Sequence, residues 1–448
     1  MENQNFFHEC KAQDCWPESD VRACHSKDWK IFYFSGKNVI FHIPDSSLFL
    51  VPDQTLLDHG TGCIGKDCLF CELEEELPKS VKPKPVVNIS SIALNVIERC
   101  NMRCTYCFAG NGDYGYDSKM NPELARKVIR FFTKDKDKLH IIFFGGEPLL
   151  NFALIKETVL WCQSLKGLTF TYGLTTNGLL LTRKKLDFFL EHQFHVKLSW
   201  DGPLLQKDQR RIPSLSNHRG KDPVSEKFNQ LSQALMSLRS FKIRTTLDKK
   251  YLPKSRDNIL NLLNSHQYKL AFSRVSSSNP ELMYSEKDVR NYAELLKQLT
   301  DHFLNLKDYV TLQRISTFKT LIRIFHKGKF HRNFCGAGLN YLSVSTRGKF
   351  YLCHRFTEDE EECLGDLNRG LNLDKIQEVV DQRGMTQDPC RSCWMREVCA
   401  GGCFHEHKMG RGSIRSIDPL FCQIQEAEMT QALRAYLEIQ IHAPELLN

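Results

Sequence analysis

Short apolar runs alternate with amphipathic stretches over residues 86–275. Apolar runs bounded by polar or turn residues predict buried strands, and longer segments with apolar residues at helical spacing predict helices. The predicted strands cover residues 89–97, 139–144, 169–174, 195–200, 242–247 and 270–275. The predicted helices cover residues 122–133, 152–164, 183–192, 226–240 and 256–266. Six such strand–helix units favour an α/β fold with a parallel six-stranded barrel.

The pattern changes on both sides of this region. Residues 1–85 contain three β-rich runs, at 30–34, 39–43 and 48–51, followed by predicted helices at 53–59 and 70–77 and a Pro- and Lys-rich linker at 77–85. Helical spacing over 284–306 and 312–326 predicts a helical bridging region at 276–330. A predicted hairpin at 341–352 begins a C-terminal unit, 331–448, and presents Cys353.

Composition changes this picture mainly through cysteine. The 448 residues carry an ordinary 41% of apolar and 25% of charged residues and a net charge of +8, but they include 18 Cys. We see no signal peptide and no apolar run of membrane-spanning length, so we expect a reducing, cytoplasmic location with no membrane partner. There the cysteines are better explained by metal binding than by disulfides. No basic stripe with interleaved aromatics predicts nucleic-acid binding.

Three cysteines, Cys100, Cys104 and Cys107, follow the first barrel strand with C-x3-C-x2-C spacing. Thiolates are the usual ligands of iron–sulfur clusters, and three of them leave one iron of a four-iron cluster open to a small molecule. Gly145-Gly146-Glu147-Pro148 and Ser199-Trp200-Asp201-Gly202-Pro203 each follow a later strand. Because the functional loops of parallel barrels lie at the carboxyl ends of the strands, we expect these motifs on one face. A zinc knuckle or reduced buried thiols are the alternative for the triplet.

These motifs together resemble the radical S-adenosylmethionine (SAM) enzymes. The resemblance implies a partial (βα)6 TIM-like barrel and a 4Fe–4S cluster on the three cysteines, with SAM at its open iron. It implies that Glu147 binds the SAM ammonium group, that Gly145 and Gly146 lie near its methionine, and that Tyr106 faces the adenine. Ser199 and Asp201 are expected at the ribose and the carboxylate. Arg211 is expected at the carboxylate, although Lys207 stands where the family's His-Asp-x-x-Arg pattern has His.

A second cysteine array lies in the C-terminal unit and resembles the SPASM domain, which carries two auxiliary 4Fe–4S clusters. By this resemblance, one cluster is fully ligated by Cys390, Cys393, Cys399 and Cys422. The other is held by Cys335, Cys353 and Cys403. The fourth ligand of this cluster is either Cys363 or a thiolate of the substrate. A third possibility is that the cluster binds no substrate and only relays electrons.

The N-terminal unit resembles the winged-helix-like peptide-recognition domain of peptide-maturing radical SAM enzymes. That resemblance implies binding of a leader peptide by strand addition, and a structural extension is the alternative. The unit also holds cysteines whose role stays open between free thiols, a zinc site and an extra cluster: Cys10, Cys15, Cys24, Cys63, Cys68 and Cys71.

The expected function is that of a radical SAM peptide maturase. It would cleave SAM reductively to a 5′-deoxyadenosyl radical, abstract a hydrogen from a ribosomally made precursor peptide and form a thioether or carbon–carbon cross-link. Expected partners are the precursor peptide and reduced flavodoxin or ferredoxin as electron donor. The alternatives are a sulfatase-type formylglycine maturase, a maturase of a quinohemoprotein amine dehydrogenase subunit, and a non-enzymatic iron–sulfur sensor.

Overall fold

The computed structural model describes residues 29–34, 37–42, 47–51, 87–110, 112–206, 211–213, 223–265, 268–277, 279–327, 334–381 and 389–447. The two helices predicted at 53–59 and 70–77, the linker and the six N-terminal cysteines lie outside these residues, as do Lys207 and Asp208.

The strands are β1 (Trp29–Phe34), β2 (Lys37–His42), β3 (Ser47–Val51), β4 (Ser91–Ile97), β5 (Met102–Cys104), β6 (Lys138–Gly145), β7 (Thr169–Thr176), β8 (His195–Ser199), β9 (Arg211–Pro213), β10 (Ser240–Leu247), β11 (Lys269–Arg274), β12 (Tyr341–Val344), β13 (Lys349–Tyr351), β14 (Cys363–Asp366) and β15 (Gly370–Leu371). The helices are α1 (Pro122–Thr133), α2 (Phe152–Gln163), α3 (Arg183–Glu191), α4 (Pro203–Gln206), α5 (Pro223–Met236), α6 (Leu252–Ser265), α7 (Glu286–Asn305), α8 (Tyr309–Leu312), α9 (Ser316–Lys327), α10 (Leu373–Asp381), α11 (Arg396–Cys399), α12 (Phe404–Arg411) and α13 (Pro419–His442).

One ten-stranded sheet organises the molecule, in the order β11-β10-β8-β7-β6-β4-β12-β13-β14-β15. Its first six strands are parallel and correspond to the six strands predicted from the sequence. Their burial explains the strength of that signal, because one face packs on helices and the other faces the barrel interior. On β10, for example, Phe241, Ile243 and Leu247 are buried on the helix side, whereas Lys242 and Arg244 alternate with them.

Local sequence accounts for the helix starts. Asn121 caps α1 by accepting a hydrogen bond from Leu124 N at 2.8 Å, and Pro122 occupies the first turn, where its missing N–H is harmless. The helix predicted at 226–240 begins earlier, at Pro223, and ends at Met236. Ser240 instead opens β10, where it pairs with His195 of β8, so sheet pairing takes the residue that helical spacing assigned to the helix.

The C-terminal unit continues the barrel sheet. β12 runs parallel to β4, with Tyr341 opposite Ser91, and then forms the predicted hairpin with β13 around Gly348, whose φ is +80°. In the bridging region, helices α7 and α9 both pack against α13. The barrel, the bridging helices and the C-terminal unit therefore share one apolar core.

The three N-terminal strands form an antiparallel sheet in the order β1-β2-β3. Phe41 of β2 is buried, and its ring meets the Trp394 ring edge-on, with 5.7 Å between the ring centroids. Trp394 lies directly after Cys393, so this sheet packs on the C-terminal cysteine region.

Candidate functional site

An open cavity of about 1000 Å³ lies at the carboxyl ends of the barrel strands. The three cysteines of the triplet, Cys100, Cys104 and Cys107, all line it. Residues at the ends of five strands complete this part of its wall: Gly145, Thr175, Thr176, Ser199, Thr246 and Ser273. The motifs that follow separate strands therefore meet around one space.

The cysteine loop is shaped by its own backbone. β5 pairs antiparallel with β9, and Cys104 lies opposite Arg211. Met102 N donates to Cys100 Sγ at 3.4 Å, and Cys107 N donates to the Cys104 carbonyl at 3.1 Å. Gly112, at φ +83°, lets the chain return close by, because a Cβ there would lie 2.6 Å from Cys100 Cβ.

The glycine pair holds the second loop against the first. Gly146 N donates to Ile97 O at 3.0 Å, and Glu147 N donates to Arg99 O at 2.9 Å. A Cβ on Gly145 would lie 2.1 Å from Ile97 O, so only glycine permits this approach. Both glycines also line the cavity, as the expected position near the methionine of SAM requires.

Glu147 is almost fully buried, with 1% of its surface exposed. Its carboxylate accepts hydrogen bonds from Thr176 Oγ1 at 2.7 Å, Asn177 N at 2.7 Å and Leu149 N at 3.1 Å. Asn177 Nδ2 in turn lies 3.6 Å from Cys100 Sγ. Glu147 thus ties the end of β7 to the cysteine loop, a structural role that the motif alone did not predict.

Tyr106 and Ser199 line the cavity, but Asp201 does not. Asp201 is fully buried, and its carboxylate accepts hydrogen bonds from the Tyr106 hydroxyl and from Thr246 N at 2.9 Å. Both carboxylate oxygens thus bond to the protein, and the expected contact of Asp201 with SAM stays a prediction. The structure describes the backbone pairing of Arg211 in β9, and the expected contact of its side chain with the SAM carboxylate stays a prediction.

The thiols of the triplet form an electrostatically unfavourable group by themselves. Burial raises the pKa of Cys100 to about 12, and Glu147, Cys104 and Cys107 raise it further. A cationic metal centre relieves such repulsion and stabilises the thiolates, so this donor set fits an iron–sulfur cluster. Within the described ranges, no three Cys, His, Asp or Glu side chains are arranged around a single metal ion.

The C-terminal cysteines fall into groups whose members interact electrostatically. Burial raises the pKa of Cys353 to about 12, with further contributions from Cys403 and Cys335. Burial likewise raises the pKa of Cys422 to about 12, with contributions from Cys390 and Cys393. Cys399 lies at the end of α11, and the assignment of these cysteines to two clusters stays a prediction.

Cys363 lies apart from this scheme. It opens β14 opposite Tyr351, and its thiol donates to Gly365 O at 3.5 Å. The structure thus gives Cys363 a partner of its own, and its role as a fourth cluster ligand stays a prediction.

Three arginines of the cavity wall were missed in the sequence: Arg244, Arg274 and Arg355. Arg274 and Arg355 bind the two oxygens of Glu406 at 2.7 and 2.8 Å. The sequence did contain a signal for Arg244, because polar and apolar residues alternate along β10 and this alternation places Arg244 on the face opposite the buried residues. Nothing in the local sequence linked Arg355 or Glu406 to the barrel.

Residues 94–210 match the model of the radical SAM superfamily. The match begins in β4 and includes the cysteine triplet, the glycine pair and Asp201. The chain carries a radical SAM domain and is an enzyme of that type.

Two relatives show how far the likeness extends. The chain is 23% identical to a cysteine-type anaerobic sulfatase-maturating enzyme of Clostridium perfringens, over 68% of this chain and 85% of the relative. It is 22% identical to the radical SAM cyclopropyl synthase TigE of Paramaledivibacter caminithermalis, over 75% of this chain and 72% of the relative. Both alignments extend well beyond residues 94–210.

Solved structures share the fold. The enzyme anSMEcpe with bound AdoMet gives a TM-score of 0.66 at 19% identity, covering 80% of this chain and 96% of that one. SuiB of Streptococcus suis bound to its precursor peptide SuiA gives 0.51 at 12% identity, covering 88% and 98%. In the part of the chain that the model describes, no helix is both long and apolar enough to cross a membrane.

Proposed function

We propose that the chain is a radical SAM maturase that modifies a peptide or protein. The observation that carries this proposal is the cavity, because the cysteine triplet, the glycine pair and the ends of five strands all line it. The likeness to SuiB, whose structure contains a precursor peptide, and to a sulfatase-maturating enzyme supports a peptide or protein as substrate.

Cys100, Cys104 and Cys107 are proposed to hold the 4Fe–4S cluster at which SAM binds. When bound, the cluster and SAM supply the radical that removes a hydrogen from the substrate. Gly145 and Gly146 let the backbone approach the methionine part of SAM. Glu147 is proposed to receive the ammonium group, because its backbone N–H donates to Arg99 O and so places its loop directly beside the cysteine triplet.

The remaining SAM contacts are assigned by position. Ser199 and Tyr106 line the cavity and are proposed to face the ribose and the adenine. Asp201 stays a candidate for the SAM contact, and its buried hydrogen bond is proposed to position Tyr106. Arg211 stays assigned to the SAM carboxylate because β9 pairs with the cysteine loop.

The C-terminal cysteines are proposed to hold two auxiliary clusters, which take up the electron that the substrate loses. Cys390, Cys393, Cys399 and Cys422 would hold one, and Cys335, Cys353 and Cys403 the other. The fourth position of the latter remains for Cys363 or a substrate thiolate. The N-terminal unit, residues 1–85, is proposed to bind a leader peptide, and reduced flavodoxin or ferredoxin is the proposed electron donor.

The proposed reaction forms a thioether or carbon–carbon cross-link. Oxidation of a cysteine to formylglycine is the second candidate, and the similarity to the Clostridium perfringens sulfatase-maturating enzyme favours it. The products differ in mass. A cross-link removes two hydrogens, whereas formylglycine replaces the cysteine thiol by an aldehyde and removes sulfur.

The test of the site uses the full chain reconstituted anaerobically with iron and sulfide. We expect about twelve irons per chain, with 5′-deoxyadenosine formed on reduction in the presence of SAM. Cys104→Ala should lose about four irons and all SAM cleavage. Cys162→Ala is the matched control, because Cys162 is buried in the apolar core and belongs to neither cysteine array. This variant should retain its iron content and its SAM cleavage. Zinc binding without an EPR signal of a four-iron cluster would contradict the proposal.

The test of the reaction adds a Cys-containing peptide encoded by a small reading frame beside the gene, or a Cys-containing sulfatase peptide. Mass spectrometry then separates loss of two hydrogens from loss of sulfur. An unchanged mass for both peptides, with SAM cleaved, would count against maturase activity on these substrate classes.

A further inference from the structure

The cavity wall holds a guanidinium that the described protein leaves largely unbonded. Arg244 lies on the inner face of β10, half-buried, and its side chain lines the cavity. Among the described residues it makes one hydrogen bond, from Nη2 to Ser273 Oγ at 3.3 Å. A guanidinium has five N–H donors, so most of them point to the cavity or to water.

The neighbouring arginines are bonded differently. Arg274 and Arg355 share the carboxylate of Glu406, and the three side chains are only 12–14% exposed. One carboxylate thus compensates two guanidiniums, and Arg244 adds a third positive charge beside them. Burial and, to a smaller extent, Arg355 together lower the pKa of Arg244 to about 10, so Arg244 stays charged at neutral pH.

The barrel interior adds to this positive potential. Lys197 lies on the inner face of β8, opposite Lys242 of β10, and Ser199 lies opposite Arg244. Burial, followed by Arg244 and Lys242, lowers the pKa of Lys197 to about 8. The carboxylates of Glu147 and Asp201 are bonded to other groups, which leaves the inner face of β8 and β10 cationic.

The cavity is therefore polarised. The groups that act on Arg244 are Arg355, Glu406, Tyr106 and Cys403, and three of them belong to the C-terminal unit. The groups that act on Cys100 are Glu147, Cys104 and Cys107 of the cysteine side. Arg244 thus lies on the side of the cavity toward the C-terminal unit, near Tyr106 and opposite Ser199 in the sheet. Aromatic rings flank that part, since His354 lies 4.1 Å from Phe144 between ring centroids and 5.8 Å from Phe108.

We propose that Arg244 binds a carboxylate of the peptide substrate, supplied by an acidic side chain or by the C-terminus. A guanidinium binds a carboxylate through two parallel hydrogen bonds, which fixes direction as well as position. The bond would hold the adjoining substrate residue in the aromatic part of the cavity, toward the cysteine side. This inference rests on the proposed function and names the substrate chemistry that the same cavity selects.

The test measures peptide binding to the reconstituted full chain with SAM present. The probes are fluorescein-labelled hexapeptides containing one Cys and one Asp, with the Asp moved through the other positions and the C-terminus amidated. In a second, matched set, Asn replaces Asp. In a third set, Ala replaces Asp and the C-terminus is a free carboxylate. The enzymes are wild type, Arg244→Gln, Arg244→Lys and the control Lys242→Gln, two residues earlier on the same face of β10.

We expect wild type to bind the best Asp peptide, or the free C-terminal carboxylate, at least about tenfold more tightly than its uncharged match. Arg244→Gln should abolish this difference without weakening the uncharged peptide, and Arg244→Lys should retain part of it. Lys242→Gln removes a positive charge on the same face but outside the cavity lining, so it should retain most of the difference. If wild type prefers the Asp set, the carboxylate that Arg244 binds belongs to an acidic side chain. If wild type prefers the third set, that carboxylate is the C-terminus of the peptide.

Three results would overturn the inference. Wild type that does not distinguish carboxylate from amide peptides excludes carboxylate recognition. Arg244→Gln that loses SAM binding would assign Arg244 to SAM, and loss of iron would assign it to charge balance of a cluster. Formation of 5′-deoxyadenosine by wild type is recorded in the same samples, so failure of the inference and failure of the proposed function remain distinguishable.

Discussion

At the scale of single residues, the site depends on buried polar groups that bond to one another. Tyr106 donates to Asp201, and Thr176 and Asn177 donate to Glu147. Buried carboxylates are costly unless each is hydrogen-bonded, so these contacts fix rotamers as well as charge. The side chains that line the cavity are thereby held in place by others that do not reach it.

Glu147→Gln tests this arrangement. A glutamine keeps the shape but replaces one acceptor oxygen by an NH2 group, which faces a donor at Asn177 N or at Thr176. We expect the free energy of unfolding of the metal-free protein to fall by about 1–3 kcal/mol, measured by urea denaturation under anaerobic conditions. Thr176→Val removes one donor to Glu147 and the acceptor of Gly178 N, but it leaves the bonds from Asn177 N and Leu149 N to Glu147 in place and should cost less. Unchanged stability in Glu147→Gln would show that these hydrogen bonds do not hold the loop.

At the scale of elements, two loops from different strands are joined along their backbones. Gly146 lies against the backbone of both segments, because a Cβ there would lie 2.3 Å from the carbonyl oxygens of Arg99 and Gly112. Backbone atoms cannot rotate away as a side chain can, so the loops must separate to admit even a methyl group. The cysteine loop and the end of β6 therefore behave as one unit.

Gly146→Ala should consequently lower both stability, by about 1–3 kcal/mol, and the iron bound on reconstitution. Gly115→Ala, in the segment that follows β5, is the matched control, since a Cβ there meets nothing within 4 Å and only the φ of +80° opposes it. It should cost about 1 kcal/mol and leave the iron content unchanged. Equal iron loss in both variants would show that backbone strain, rather than the close approach, limits this loop.

At the scale of the whole molecule, the bridging helix α7 and the C-terminal helix α13 are joined by an ion pair. Asp301 accepts from Arg434 at 2.8 Å and from Lys297 at 2.9 Å. Burial alone would raise the pKa of Asp301, but hydrogen bonds from Lys297 and Arg434 outweigh it and lower the pKa. The pair connects the bridging region to the terminal helix.

The lowered pKa of Asp301 predicts the direction in which the stability of the protein changes with pH. A carboxyl whose pKa is lowered on folding stabilises the protein above its unfolded pKa, near 3.8, and the contribution is lost as pH falls through the folded pKa. Asp301→Asn should therefore remove about 1 kcal/mol at neutral pH and progressively less below pH 3.8, as measured by thermal unfolding. Asp187→Asn, in the exposed pair with Arg183, is the control and should change little. A variant effect that does not diminish on acidification would contradict this account.

Much of the barrel could be predicted because its signals are local. Strands buried on both faces appear as apolar runs, and the six predictions agree with the structure within two residues. The cysteine spacing and the glycine pair are equally local, and they identified the face at which the cavity lies. The predicted contact of Asp201 with SAM was less secure, because a motif does not show which way a carboxylate turns.

The sequence by itself determined the order of strands and helices, the cysteine pattern and the loops that carry it, since each follows from residues close together in the chain. Only the tertiary structure decided that β12 continues the barrel sheet beside β4, that Phe41 packs on Trp394, and that Arg244 lies beside the pair formed by Arg355 and Glu406. Those contacts join residues far apart in the chain. They depend on sheet register and on how separate units pack, and neither is encoded in a local pattern.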